Sequence, residues 1–288
     1  MAHSPLASPS ATRDALLRHG LVLKKSLGQH FLIDDNIVGR ILALADLPSG
    51  SVVLEVGPGI GTLTAALCGV AGAVVAVERD AGLLPALGEV VTAFPALKIV
   101  QADAVRVPPA ELVTPLGPPE YLVANLPYGV AATVILRFFE EIPSLRTAVV
   151  MVQAEVADRI CASPGSKAYG AYTVKLRLQA RVTGRFAVPR ACFMPPPRVD
   201  SAVLRLDRVG DAGLAASAAG VASLASAAFA QRRKTLRNSV LSSTGWEGAA
   251  FDAAAAAAGI DGRRRAESLS LDEYIDLARE ARGQGLLP

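Results

Sequence analysis

Between residues 51 and 152, short apolar runs alternate with helix-length segments, and this alternation constrains the fold more than any other feature. The runs at 51–56, 73–77, 97–100, 121–124 and 147–152 are mostly Val, Ile, Leu and Ala. Continuous apolar runs of this length suit strands buried on both faces of a parallel sheet. The intervening segments 62–70, 81–93, 133–141 and 154–162 can form the covering helices of a βαβ series. The period then changes. From 173 to 183, Val174, Leu176, Leu178, Ala180 and Val182 alternate with Lys175, Arg177, Gln179 and Arg181. Strict alternation predicts a half-exposed, antiparallel strand, with 202–206 as its partner. After Asp207 the strand signals stop, and Ala-rich helices are expected over 214–230 and 252–258, with a last helix over 272–281 capped by Ser270. The expected organisation is an α/β domain over 21–208 with a mostly parallel sheet, a small helical domain over 209–288, and a disordered leader over 1–20.

Composition narrows the classes. A chain of 288 residues, 51% apolar and 19% charged, suits a globular protein. The uncharged stretch 212–231 is mostly Ala, Ser and Gly, so it reads as a helix packed on a core rather than a membrane span. The chain's three cysteines, Cys68, Cys161 and Cys192, are odd in number and far apart. They form no disulfide framework or metal cluster, which fits a reducing cytoplasm, and the scattered histidines suggest no metal site. The net charge of +3 is unevenly spread, because residues 175–208 hold eight basic and two acidic residues. Such a band suits a polyanion-docking surface or a solvated edge strand, and charge alone does not choose between them.

Leu54-Glu55-Val56-Gly57-Pro58-Gly59-Ile60-Gly61-Thr62 runs from a strand through a Gly-rich turn into a helix. Gly57 and Gly59 let the backbone turn tightly and approach a ligand beside exposed helix N–H groups. Dinucleotide-binding turns carry Gly-x-Gly-x-x-Gly; here the third glycine comes one residue early. This spacing after an acidic strand residue resembles the first motif of class I methyltransferases. Glu78, ending the second strand, can accept both ribose hydroxyl protons. Asp103, after the third strand, stands where methyltransferases place an acid against the adenine amino group. NAD is the rival cofactor, and the glycine spacing argues against it.

Asn125-Leu126-Pro127-Tyr128 follows the fourth strand and resembles the turn of methyltransferases that modify exocyclic amino groups. Adenine N6 is a poor nucleophile because its lone pair is delocalised. Accepting its amino hydrogens on the Asn125 side-chain oxygen and the Leu126 carbonyl would favour a pyramidal nitrogen. Pro127 stiffens the turn, and Tyr128 offers a face for base stacking.

Together these segments resemble the small-subunit (16S) rRNA adenine N6,N6-dimethyltransferases of the KsgA type, from about Lys24 to Asp276. The stretch Lys25-Ser26-Leu27-Gly28-Gln29-His30-Phe31-Leu32 is similar to the family's N-terminal cofactor segment. Phe193-Met194-Pro195-Pro196-Pro197-Arg198-Val199-Asp200-Ser201 and the segments 229–238 and 265–270 are similar to further family motifs. The resemblance implies a class I methyltransferase, Rossmann-like, with a mostly parallel seven-stranded sheet. It implies that His30 and Leu32 join Gly57, Glu78, Asp103 and Asn125 around S-adenosylmethionine. Phe193 is expected to hold a flipped adenine opposite Tyr128, and Arg232, Arg233, Lys234 and Arg237 to meet RNA phosphates. The implied reaction dimethylates two adjacent adenosines of the 3′-terminal hairpin of 16S rRNA during ribosome biogenesis. The implied partner is a small-subunit precursor, and nothing demands more than a monomer. Gly129 departs from the family, which usually has a polar or aromatic residue after the Tyr. A large-subunit rRNA methyltransferase of the erythromycin-resistance type is the enzymatic rival, and an assembly factor acting mainly by binding is the reading from another class.

Overall fold

A computed structural model describes residues 3–21, 29–210 and 212–287. Lys25-Ser26-Leu27-Gly28 of the N-terminal cofactor segment lies outside these described residues. The chain divides into two compact units, residues 1–157 with 182–208, and residues 158–181 with 209–288.

The first unit opens with a helix, α1 (Pro9–Arg18), where a disordered leader was expected. Ser8 caps it by accepting from the Ala11 N–H, and Thr12, Ala15 and Leu16 are buried. Ala15 and Leu16 pack with Phe31, Ile60, Leu83 and Ala86, so apolar burial holds the segment. A short strand β1 (Phe31–Leu32) and helix α2 (Asp35–Ala45) follow, the latter capped by Asp34.

The central sheet contains β2 (Val52–Val56), β3 (Ala73–Glu78), β4 (Leu97–Gln101), β5 (Tyr121–Asn125) and β6 (Thr147–Gln153) as parallel neighbours. Their connections include α3 (Thr62–Cys68), α4 (Leu84–Ala93) and α5 (Ala131–Glu141). After α6 (Ala154–Cys161) and α7 (Ala171–Gln179) come β7 (Ala180–Val188), the two-residue β8 (Phe193–Met194) and β9 (Ser201–Arg208). The seven-stranded order is β4-β3-β2-β5-β6-β9-β7, with β9 antiparallel to β6, from Thr147 opposite Asp207 to Gln153 opposite Ser201. The chain runs outward from β2 through β3 to β4, then returns to the other side of β2 as β5. That reversal opens a crevice beyond the carboxyl ends of β2 and β5.

The alternating segment 173–183 is not the strand that its period predicts. Residues 171–179 form α7, and the strand begins at Ala180. Within the second unit α7 packs against α8 (Ala212–Phe229), burying Val174 and Leu178 in its core. Arg177 is spent on structure, donating to the Ala162 carbonyl and lying over the Tyr169 ring. Part of the cationic band is therefore taken up by structural contacts. Arg208 caps the end of α5 through the Phe139 and Ile142 carbonyls, and Arg205 pairs with Asp207 and the Leu44 carbonyl.

The second unit adds α9 (Leu236–Thr244), α10 (Gly248–Ala257) and α11 (Leu271–Gly283). Val221, Leu224, Phe251, Leu269, Tyr274 and Leu277 fill its core. Ser270 caps α11 in a reciprocal arrangement with Glu273. Among the described residues, no helix is long and apolar enough to cross a membrane.

Candidate functional site

A cavity of about 450 Å³ opens at the carboxyl ends of the parallel strands, lined by Gly57, Gly59, Glu78, Asp103 and Asn125–Tyr128 among others. Its floor is the Gly-rich turn. Gly57, Gly59 and Gly61 adopt φ of +69°, +63° and +89°, the left-handed region that side chains disfavour. A Cβ at Gly57 would stand 3.0 Å from the Pro127 ring, and one at Gly59 would stand 3.0 Å from the Phe31 ring. The two expected motifs thus touch, with the Asn-Leu-Pro-Tyr turn lying directly against the glycines.

Acids line one side. Glu78 accepts the Asp80 N–H at 2.7 Å and the Gly59 N–H at 3.4 Å, while burial raises its carboxyl above the usual range. Asp103 accepts the Val105 N–H at 2.9 Å, and Arg79 approaches its other oxygen at 3.7 Å. Glu55 is the group whose importance sequence reasoning undervalued. It is 1% exposed, its Oε2 has no hydrogen-bond partner, and burial together with the nearby Glu78 charge pushes its carboxyl up to about 8. Its signal was legible as the lone acid in the run Val52–Val56, which is buried along its whole length.

The opposite side carries the catalytic candidates. Asn125 ends β5 and donates its side-chain amide to the His30 carbonyl at 3.3 Å. Leu126 is buried, and its N–H bonds to the Met151 carbonyl at 3.1 Å, which fixes the turn to β6. The His30 ring stacks on Tyr128 at 5.7 Å and donates Nδ1–H to the Pro195 carbonyl at 2.7 Å. Leu32 lines the wall as well. A Cβ at Gly129 would meet nothing within 4 Å, so the turn has room for the side chain that this chain lacks.

Phe193 is not brought to the cavity. It is 2% exposed, belongs to the apolar core with Leu32 and Val188, and pairs in register with Leu32. The expected adenine clamp is a core aromatic in this conformation, because β8 turns its side chain inward. Nor do the four cations expected to meet RNA act alike. Arg237 forms a two-pronged pair with Asp252 at 2.7 and 3.0 Å, and Arg232 bonds to the Lys167 carbonyl and approaches Glu267. Arg233 and Lys234 are exposed on the turn before α9.

The residues around the cavity fit an adenosine ligand bearing an amino-acid tail. Left-handed glycines leave room that any Cβ would fill, a strand-end carboxylate suits ribose hydroxyls, and the orphaned Glu55 oxygen suits a cationic group. A dimethyladenosine transferase from Plasmodium falciparum shares the fold, with a TM-score of 0.73 at 23% identity over 89% of this chain and 98% of that one. The 23S rRNA methyltransferase ErmE superposes with a TM-score of 0.65 at 26% identity, covering 88% of this chain and 99% of that one. Sheet order and cavity define a Rossmann-like methyltransferase fold.

At the level of sequence the match is closer. A ribosomal RNA small subunit methyltransferase A from Rhodococcus opacus is 44% identical, covering 95% of this chain and 94% of its own length. One of the same name from Geobacillus thermodenitrificans is 39% identical, covering 96% and 97%. The family model for ribosomal RNA adenine dimethylase matches residues 20–282, and the chain belongs to that family.

Proposed function

We propose that this chain dimethylates the exocyclic amino groups of two adjacent adenosines in the 3′-terminal hairpin of 16S rRNA, using S-adenosylmethionine. Its substrate is a small-subunit precursor in the cytoplasm, met by a monomer. The observation that carries the reading is the orientation of Asn125. Asn125 lines the cavity and its amide nitrogen donates to the His30 carbonyl, so Oδ1 is the end of the amide available to accept.

S-adenosylmethionine, when bound, supplies an electrophilic methyl group. Gly57 and Gly59 would admit it closely, Glu78 would hold the ribose hydroxyls, Asp103 would take the adenine amino group, and Glu55, ionised by the approaching positive charge, would face its ammonium. His30 and Leu32 complete the wall. On the substrate side, Asn125 Oδ1 and the Leu126 carbonyl accept the N6 hydrogens and hold the nitrogen pyramidal, lone pair forward. Pro127 keeps that turn rigid against the glycines, and Tyr128 stacks on the base. No strong base is required, because the methylated amine loses its proton readily to water. Arg233 and Lys234 meet RNA phosphates, while Arg232 and Arg237 position the segment that presents them.

The names borne by the most similar relatives support the small subunit over the large one. Incubating unmethylated small subunits together with large subunits and labelled cofactor, then mapping the label, tests this. The expected product is N6,N6-dimethyladenosine at two adjacent positions, and label confined to large-subunit RNA would refute it.

A further inference from the structure

The segment from Arg190 to Ser201 contains the motif whose role the site leaves unexplained, since none of its side chains lines the cavity. It nevertheless holds both members of the aromatic pair that does. The Pro195 carbonyl accepts from His30 Nδ1 at 2.7 Å, and the Ser201 hydroxyl lies 2.8 Å from the Tyr128 hydroxyl. The segment is itself braced at three points. Asp200 accepts the Arg190 N–H at 2.9 Å, closing the loop, and its carbonyl accepts the Ala154 N–H at 3.0 Å. Ser201 begins β9 in register with Gln153 of β6, and it is 1% exposed.

We propose that Ser201 is a positioning residue for methyl transfer, fixing the direction of the Tyr128 ring axis by a hydrogen bond from the rigid start of β9. A tyrosine on a turn keeps rotation about its two side-chain torsions, and a stacking platform needs both fixed. The stacked His30 ring restrains the plane of the Tyr128 ring, and the bond at the far end of the phenol fixes the direction of its axis. Ser201 is a suitable anchor because its backbone lies in the β6–β9 ladder, so its hydroxyl moves little. The inference rests on the assignment of Tyr128 as the face that receives the base.

The test is a double-mutant cycle on methyl-transfer kinetics with unmethylated small subunits. Ser201→Ala and Tyr128→Phe remove the same bond from opposite ends, and Tyr128→Phe leaves β9 untouched should the serine change disturb folding. Each single change should lower kcat about five- to tenfold with KM little altered, the effect of one fixed hydrogen bond. The double variant should be no slower than either single one. Ser201→Thr, which retains the hydroxyl on a strand, should restore most of kcat. Calorimetric affinity for S-adenosylmethionine should stay at the wild-type value, since Ser201 does not line the cavity. Additive losses, or a wild-type kcat in Ser201→Ala, would overturn the proposal. Tyr128→Ala separates the two failures. Loss of activity there beside a normal Ser201→Ala sinks only the positioning role, whereas full activity in Tyr128→Ala removes the base-stacking assignment beneath it.

Discussion

Asn125 donates its side-chain amide to the backbone carbonyl of His30 over 3.3 Å, across 95 residues of sequence. That bond ties the turn ending β5 to the residue just before β1, and it commits the nitrogen end of the amide. Asn125→Ala removes both the tie and the acceptor, so kcat should fall on the order of 10²-fold or more. Asn125→Asp keeps an acceptor but sets a carboxylate oxygen against the His30 carbonyl, so it should recover little of the loss. Affinity for immature small subunits, read by sedimentation binding, should persist in both variants.

Glu55 makes stability depend on pH in an unusual direction. Its carboxyl titrates near 4.5 when unfolded and at about 8 in the folded protein, so between those values the native state binds the extra proton. The stabilising contribution is complete below about 4.5 and is lost as pH rises toward about 8. Glu78, also raised by burial, adds to the same trend. Glu55→Gln should flatten it. Without ligand, its thermal midpoint should exceed the wild-type value at pH 9 and approach it at pH 5. Parallel curves for the two proteins would show that Glu55 is not the group involved.

Gly59→Ala imposes a side chain at φ +63° and brings a Cβ to 3.0 Å from Phe31. The left-handed backbone alone costs about 1–2 kcal/mol, and Phe31 belongs to the cluster that also packs Ala15 and Leu16 of α1. Both the thermal midpoint and calorimetric affinity for S-adenosylmethionine should fall, because Gly59 is a cavity wall as well as a turn.

The cations before α9 should separate in salt titrations of RNA binding. Arg233→Ala and Lys234→Ala should weaken binding at every sequence, each reducing the slope of log affinity against log salt by about 1. Arg237→Ala should change that slope less and lower thermal stability instead, since Asp252 holds the guanidinium. Equal slopes for all these variants would return Arg237 to the RNA-facing set.

Burial of Leu16 in α1 is a further check on the leader. Leu16 is 8% exposed among Phe31, Ile60 and Leu83. Leu16→Ala should cost about 2 kcal/mol in denaturant unfolding. A disordered leader would show no change.

Much of the cavity was legible because its parts are local. The glycine spacing, the acid ending β3 and the turn after β5 each sit within a few residues of a strand end, where period and turn chemistry speak clearly. What misled was local pattern without its surroundings. The alternation at 173–183 is a true period of two, yet Gly170 starts a helix there and α8 supplies an apolar partner, so Val174 and Leu178 are buried one turn apart. Phe193 likewise carries a motif in sequence, but its pairing with Leu32 turns the ring into the core. Arg208 and Arg237 looked like free charge because their acceptors, carbonyls and a carboxylate from distant segments, leave no mark nearby in the chain.

By itself the sequence determined the parallel α/β core, the Gly-rich turn and the residue types for amino-group chemistry. Each follows from spacing between neighbours along the chain, where steric and hydrogen-bond rules act over a few residues. Only the tertiary structure decided which end of the Asn125 amide is committed to His30, that burial raises the Glu55 carboxyl, and that Ser201 meets Tyr128. Those outcomes depend on desolvation and on contacts between residues such as His30 and Asn125 that folding, not sequence proximity, brings together.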